Sequence, residues 1–376
     1  MGFRARRRYR PPCAWHGLCR GADDRLQIPA GGRGRRAPRR YGQGPGLPPR
    51  GWRGAQCRQW GDGIHVLHRD RIQVSEELEF SLDFTPAHGE AVPVAPLVER
   101  ITAPNASPFT FHGTNTYIVG GKSVCVIDPG PDNPAHWQAL MKALRGRKVT
   151  HIAVSHTHTD HSPLAKKLKE MTGARTVAEG PHRPARPLFH GEVNPFAESS
   201  DTDFRPDIRV MHGDRISGDG WVLETLLTPG HCANHAAFAL DGTGIVFSAD
   251  HVMAWSTSIV APPDGSMADY MASLDMLLGR DDRIYFPGHG GPVEDPPAFL
   301  RGLRTHRRMR ERAILERIRG GDRKITEMVA AIYRATDPRL HGAAALSVLA
   351  HIEDLSARGE ILSAGPPSLD GEYEAA

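Results

Sequence analysis

The sequence predicts an α+β protein on three observations. Short apolar strands each run into a histidine or an aspartate, a long amphipathic helix follows them, and two further helices with a short hairpin close the chain. The first strand, Ile152-Ala153-Val154-Ser155, leads into His156-Thr157-His158-Thr159-Asp160-His161, which places four strong metal ligands in six residues. In extended backbone, side chains alternate faces, so His156, His158 and Asp160 share a side, and His161 comes round beside them at the entry to the next helix. This loop therefore offers ligands for two metals. Imidazole nitrogen suits Zn, Fe, Co or Ni, and the neighbouring carboxylate is compatible with Zn, Mn or Fe.

One loop cannot complete two sites, and further ligands stand at other strand ends. Trp221 to Leu227 reads as a strand running into Thr228-Pro229-Gly230-His231. Gly244 to Ser248 runs into Ala249-Asp250, and Arg283 to Phe286 runs into Pro287-Gly288-His289-Gly290. Pro and Gly beside His231 and His289 enforce sharp turns that keep the imidazoles aimed at one place.

These four segments resemble the metallo-β-lactamase-fold hydrolases over residues 95 to 300. The resemblance implies a sandwich of two β-sheets flanked by helices, with ligands at one end of it. It implies that His156, His158 and His231 hold a first metal, that Asp160, His161 and His289 hold a second, and that Asp250 bridges them. Two zinc ions are expected, with Mn or Fe as substitutes. Such ions about 3.5–4 Å apart lower the pKa of a shared water to about 7 and polarise the oxygen under attack, so no protein nucleophile is needed. Asp160 and Asp250 are the expected catalytic residues, Asp160 both as ligand and as proton carrier. Asp128, in Val124-Cys125-Val126-Ile127-Asp128-Pro129-Gly130, is either an ordinary turn former or an acceptor for a ligand's second N–H. His235 is a candidate hydrogen-bond partner or proton donor for substrate. Cys232 reads as a small buried residue, and Ala249 replaces the Gly usual before the bridging Asp.

The chain has 376 residues, 39% of them hydrophobic, with a mean hydropathy of −0.41 and no run of about 18 apolar residues that would cross a membrane. Five cysteines at unpatterned spacings suggest neither a disulfide framework nor zinc-finger pairs, which fits a cytoplasmic protein. Residues 1–73 hold seventeen Arg, no Lys, four Asp and no Glu, a charge of +13 that leaves −9 on the remainder. This Arg/Gly/Pro-rich leader has no lasting hydrophobic period and is expected to be disordered. Its composition fits translation upstream of a true start near Val74 better than a nucleic-acid-binding tail or a transit peptide.

Residues 74–296 are thus the expected catalytic domain, and 297–319 a connecting helix with Phe299, Leu300, Leu303, Met309, Ile314, Leu315 and Ile318 on its apolar side. Eight Arg at 301, 304, 307, 308, 310, 312, 317 and 319 make the other side basic, a face expected to attract a polyanion. Residues 320–366 outline a winged helix, with 367–376 as a tail. This ending resembles the winged-helix domain of lactamase-beta-like-2 proteins, a subgroup that includes endoribonucleases acting on single-stranded RNA. The resulting expectation is phosphodiester hydrolysis of single-stranded RNA through a metal-bridging hydroxide. A thioester or lactone hydrolase of the glyoxalase II kind is the alternative, because the same centre serves acyl transfer. A DNA-binding regulator without catalysis fits poorly with a full ligand set, and nothing in the sequence fixes whether copies of the chain assemble.

Overall fold

The computed structural model describes residues 78–376, and the expectations for the leader lie outside these described residues. Two sheets stack face to face. The first has the order β1 (Val92–Ala95), β2 (Val98–Thr102), β3 (Asn115–Gly120), β4 (Ser123–Ile127), β5 (Lys148–Ala153), β6 (Arg175–Ala178) and β7 (Ile208–Arg209). The second runs β12 (Ile284–Pro287), β11 (Ile245–Ala249), β10 (Ala236–Leu240), β9 (Trp221–Leu227) and β8 (Arg215–Gly218).

Alternation along the strands builds the layers. Tyr117 and Val119 of β3, Cys125 and Ile127 of β4, Phe238 of β10 and Phe247 of β11 point between the sheets and form the central core. The intervening residues point outward and are also apolar. Ile118, Val124, Val126 and Ile152 pack beneath α1 (Pro134–Ala143) and α2 (Leu164–Thr172). Leu226, Ala237, Ala239 and Val246 pack beneath α3 (Met267–Leu278) and α4 (Pro296–Arg319). Helices therefore cover both outer faces, and strands buried on two sides are apolar throughout rather than alternating.

Local chemistry sets the helix starts. Asn133 accepts from the amides of Ala135 and His136 ahead of Pro134, Ser266 accepts from Asp269, and Asp295 accepts from Ala298 ahead of Pro296. The helix expected from residue 297 thus begins one residue earlier, at Pro296, directly after its capping aspartate.

Strand direction explains where the polar ends collect. β4 and β5 are parallel, as are β11 and β12, and β9 runs the same way as β11 because both are antiparallel to β10. Five carboxyl ends, those of β4, β5, β9, β11 and β12, therefore emerge on one rim of the sandwich. The rim is stitched across the sheets. Asn115 Nδ2 donates to the carbonyls of Pro287 (3.1 Å) and Gly290 (3.0 Å), the Tyr117 hydroxyl donates to Pro287 O (2.7 Å), and Ala236 N donates to Ser155 O (2.8 Å).

The carboxy-terminal part contains α5 (Ile325–Ile332), α6 (His341–Ala357) and the antiparallel pair β13 (Ile361–Ser363) and β14 (Tyr373–Ala375). Its core joins Ile314, Leu315 and Ile318 of α4 to Met328, Val348, Ile352, Leu355, Ile361 and Tyr373. Residues 367–376 are accordingly not a tail, because they supply the second strand of the wing, and Tyr373 is completely buried. A period-2 signal three residues long is too brief to be seen in sequence.

The turn before His231 has no room for a side chain. Gly230 has φ +140°, and a Cβ there would lie 2.4 Å from Tyr270 Cα on α3. Gly230→Ala is expected to cost about 2–4 kcal/mol, combining left-handed strain with overpacking. Urea unfolding should show this as a lowered midpoint at constant slope, and an unchanged midpoint would contradict the packing described.

Candidate metal centre

All seven residues singled out as ligands converge on the rim. Ligand atoms lying within 4.8 Å of one another form three triplets: His156, His158 and His231; His156, His161 and Asp250; and Asp160, His161 and His289. Asp250 touches both histidine groups. Its Oδ2 lies 3.3 Å from His289 Nε2, 3.7 Å from His231 Nε2 and 4.0 Å from His156 Nε2, and its Oδ1 lies 3.5 Å from His161 Nε2.

The other ring nitrogens decide what these contacts mean. His231 Nδ1 donates to Ile259 O (2.6 Å), His161 Nδ1 to Asp128 Oδ2 (3.0 Å) and His289 Nδ1 to Gly113 O (3.3 Å). Ser155 Oγ spends its proton on Asp128 Oδ2 (2.6 Å) and so accepts from His156 Nδ1 (2.9 Å). Each neutral imidazole therefore turns a bare Nε2 lone pair inward. His156 Nε2 and His231 Nε2 both face His158 Nδ1, at 3.1 and 3.0 Å, and a single N–H could satisfy only one of them. His161 Nε2 and His289 Nε2 face the Asp160 carboxylate at 3.2 and 3.3 Å. His161 Nε2 and Asp250 Oδ1 are buried without a hydrogen-bond partner. Lone pairs and carboxylates crowded in this way repel unless cations stand between them, so the donor set fits metal ions.

Titration behaviour follows the same charges. Burial, helped by the neighbouring imidazoles, pushes His156 well below the usual imidazole range, and burial with His231 takes His158 to about 3. Burial works in the same direction at His161 and His289, but there the carboxylates of Asp160 and Asp250 prevail and raise both. The centre thus divides into a carboxylate-poor and a carboxylate-rich half.

Several supports were not legible in sequence. Thr114 Oγ1 donates to Asp160 Oδ2 (2.8 Å), while Asn105 Oδ1 accepts from Thr114 N (2.9 Å). At Gly288, a Cβ would stand 2.3 Å from Asp250 Oδ1, so glycine is required for the carboxylate to sit there. Asp128 holds Ser155 N (2.7 Å), Ser155 Oγ and His161 Nδ1 together, which is the ligand-supporting arrangement rather than a plain turn. His235, by contrast, does not face substrate. It is fully buried, its Nδ1 donating to Thr228 Oγ1 (2.8 Å) and its Nε2 accepting from Asp250 N (3.3 Å), so it positions the Asp250 backbone. Cys232 is buried as expected.

The centre opens into a cavity of about 280 Å³. Asp160, Asp250 and Asp264 all line it, and the Asp160 side chain is more open than that of Asp250, 24% exposed against 10%. Phe109, Phe196, Met253, Ile259 and Ala261 line much of the remaining wall, and no Lys or Arg among the described residues does. A larger groove of about 770 Å³ lies at the start of α4 among Glu79, Asp83, Glu294 and Asp295, and none of the seven ligands lines it.

The eight arginines of α4 do not form one free basic face. Arg307 is buried, bonded to Ser258 O and stacked over Tyr270 at 4.8 Å. Arg304 pairs with Asp275 (2.9 Å), Arg317 with Asp322 (2.6 Å), and Arg310 lies 4.2 Å over the Tyr333 ring. Arg308, Arg312 and Arg319 are exposed.

Asp128→Asn should weaken metal binding about 10- to 100-fold while leaving the far-ultraviolet circular dichroism unchanged. Competition against a chromophoric chelator measures this directly, and wild-type affinity in the variant would remove Asp128 from its supporting role.

Comparison with known proteins agrees with this geometry. Residues 109–289 match the metallo-beta-lactamase superfamily, and residues 325–366 match the beta-lactamase associated winged helix domain. The chain is 28% identical over 278 residues to a beta-lactamase-like protein 2 homolog of Drosophila melanogaster, covering 70% of this chain and 89% of that protein. It is 27% identical over 241 residues to an atrochrysone carboxyl ACP thioesterase of Aspergillus terreus, covering 63% and 68% respectively. Among solved structures it is similar to a metallo-β-lactamase family protein of Thermus thermophilus, with a TM-score of 0.60 and 25% identity over 76% of this chain and all of that one. A β-lactamase domain protein from Burkholderia ambifaria shares the fold at a TM-score of 0.65 and 21% identity, over 81% of this chain and 99% of that one. Residues 109–289 are thus a metallo-β-lactamase superfamily domain, of the metal-dependent hydrolase kind, and residues 325–366 the winged helix associated with it.

Proposed function

We propose that this hydrolase cleaves acyl thioesters, with two zinc ions held by His156, His158 and His231 on one side, by Asp160, His161 and His289 on the other, and by Asp250 between them. The observation that carries the substrate class is the wall of the cavity: apolar side chains from three separate segments and, among the described residues, no cation. An acyl chain is stabilised against Phe109, Phe196, Met253 and Ile259 at about 25 cal/mol per Å² of apolar surface removed from water. A polynucleotide would bring further phosphates to the same wall, where no Lys or Arg of the described residues would meet them. The thioesterase activity named for the Aspergillus terreus relative points the same way.

Bound zinc would supply a water acidic enough to attack at neutral pH and an electrophile for the carbonyl oxygen. The chain's own residues do the rest. Asp160 Oδ2 is fixed by Thr114 and the carboxylate meets the cavity, so it is placed to take the proton released in attack and deliver it to the departing sulfur. Asp250 holds the two histidine groups in register, and His235 fixes the Asp250 backbone. Phe109 and Phe196 exclude bulk water from the acyl side.

RNA cleavage, the expectation from sequence, draws on the exposed arginines of α4, Arg308, Arg312 and Arg319 among them. The two readings separate in one experiment. Zinc-loaded protein is given an S-acyl pantetheine thioester and, separately, an end-labelled single-stranded RNA, with Asp250→Asn as the control. The thioester should be hydrolysed, the RNA left intact, and the variant far slower, because the centre has lost its bridging carboxylate. RNA cleavage without thioester hydrolysis would reverse the assignment.

A further inference from the structure

The winged helix reaches back to the wall of the active-site cavity through one half-buried cluster. Arg186 lies in the long segment between β6 and β7 and forks onto Glu192 of the same segment at 2.6 and 2.7 Å. Its Nε and Nη2 also donate to Glu353 Oε1 on α6, at 3.0 and 2.6 Å. The three side chains are only 18–20% exposed, and the guanidinium stacks 4.1 Å over the Phe189 ring. Two carboxylates sharing one planar cation, largely shielded from water, is not the loose surface pair that contributes little.

The segment held in this way leads directly to the cavity. Glu192 Oε2 accepts from Phe189 N (2.8 Å), Asn194 Oδ1 accepts from Phe196 N (2.9 Å), and Asn194 Nδ2 donates to Asp264 Oδ1 (2.8 Å). Ala185 N donates to Pro263 O (2.8 Å), and Ser199 O accepts from Thr159 N (2.9 Å) within the metal-ligand loop. Phe196 and Ser199 then line the cavity. The segment is thus anchored to the catalytic domain at Ala185 and Ser199, and Glu353 of the winged helix holds Arg186 beside the first of these anchors, from which Arg186 reaches Glu192 in the middle.

We propose that the winged helix serves catalysis as a strut: Glu353, acting through Arg186 and Glu192, fixes the segment that carries Phe196 and so sets the width of the substrate cavity. Glu353 is a positioning residue, because it touches neither substrate nor metal. This gives the domain a function that needs no nucleic acid. Glu353, one of the acidic residues of α6 that make the domain a poor partner for phosphate backbones, is the group the strut requires. Burial raises the Glu353 carboxyl although Arg186 pulls it down, consistent with a group taken out of water.

The test uses the full-length, metal-loaded chain with Glu353→Ala and Glu353→Gln, the second retaining an acceptor oxygen. Hydrogen exchange of residues 187–199 should accelerate about tenfold in Glu353→Ala while that of 156–161 stays unchanged, with Glu353→Gln between wild type and Ala. For the acyl thioester, KM should rise about three- to tenfold with kcat and metal content within about twofold, since the wall and not the reacting centre has moved. Unchanged exchange at 187–199, or kcat, KM and metal content falling together, overturns the proposal. Should Glu353→Ala not fold, Glu353→Gln and Arg186→Lys are read by the same two criteria. The exchange arm requires no substrate, so failure of the thioester reading leaves the strut to be decided by it.

Discussion

Five histidines and two aspartates point their ligand atoms into one small volume at the rim of the sandwich, and most of the architecture can be read as the means of holding them there. The far nitrogens of His156, His161, His231 and His289 are already engaged as donors, so the near ones present lone pairs to each other and to carboxylates. Such a cluster is stable only around positive charge. It constrains everything that feeds it. Five strands must end on the same side, which the parallel pairs β4/β5 and β11/β12 and the shared direction of β9 and β11 provide. The turns must be tight, which Gly230 and Gly288 allow. The two sheets must be tied at that end, which Asn115 and Tyr117 do.

Much of this was legible in sequence because it is local. β9 spans Trp221–Leu227 as its apolar run implies, β11 and β12 differ from expectation by one residue, and every ligand stands close beyond a strand end. What was not legible depends on partners distant along the chain. Thr114 meets Asp160 across 46 residues, and Arg186 meets Glu353 across 167. No period or motif encodes such pairs. The basic face of α4 was overread for the same reason. Helical spacing shows that eight arginines share a helix, but not that Asp275, Asp322, Tyr270 and Tyr333 would engage four of them. His235 was misplaced because four-residue spacing from His231 says nothing about which ring nitrogen finds Thr228.

The two parts of the chain are not independent. α4 contributes Leu300 and Leu303 to the layer over the second sheet and Ile314, Leu315 and Ile318 to the core of the winged helix, so one helix is common to both. Arg307, midway along it, is bonded to Ser258 O, and the next residue, Ile259, accepts from His231 Nδ1. The Tyr270 ring beneath Arg307 belongs to a residue whose hydroxyl donates to His251 O, beside Asp250. The connecting helix is therefore part of the scaffold of the metal centre, and its buried arginine has a structural explanation that needs no polyanion.

The most direct test of the account is thermal unfolding of the full chain by calorimetry, before and after removal of metal by a chelator and on stepwise return of zinc. Lone pairs and carboxylates left without cations should lower the midpoint by more than about 10 °C, a loss on the order of several kcal/mol by linkage, and two equivalents of zinc per chain should restore it. A midpoint indifferent to chelation, or one restored fully by a single equivalent, would contradict a rim organised around two ions.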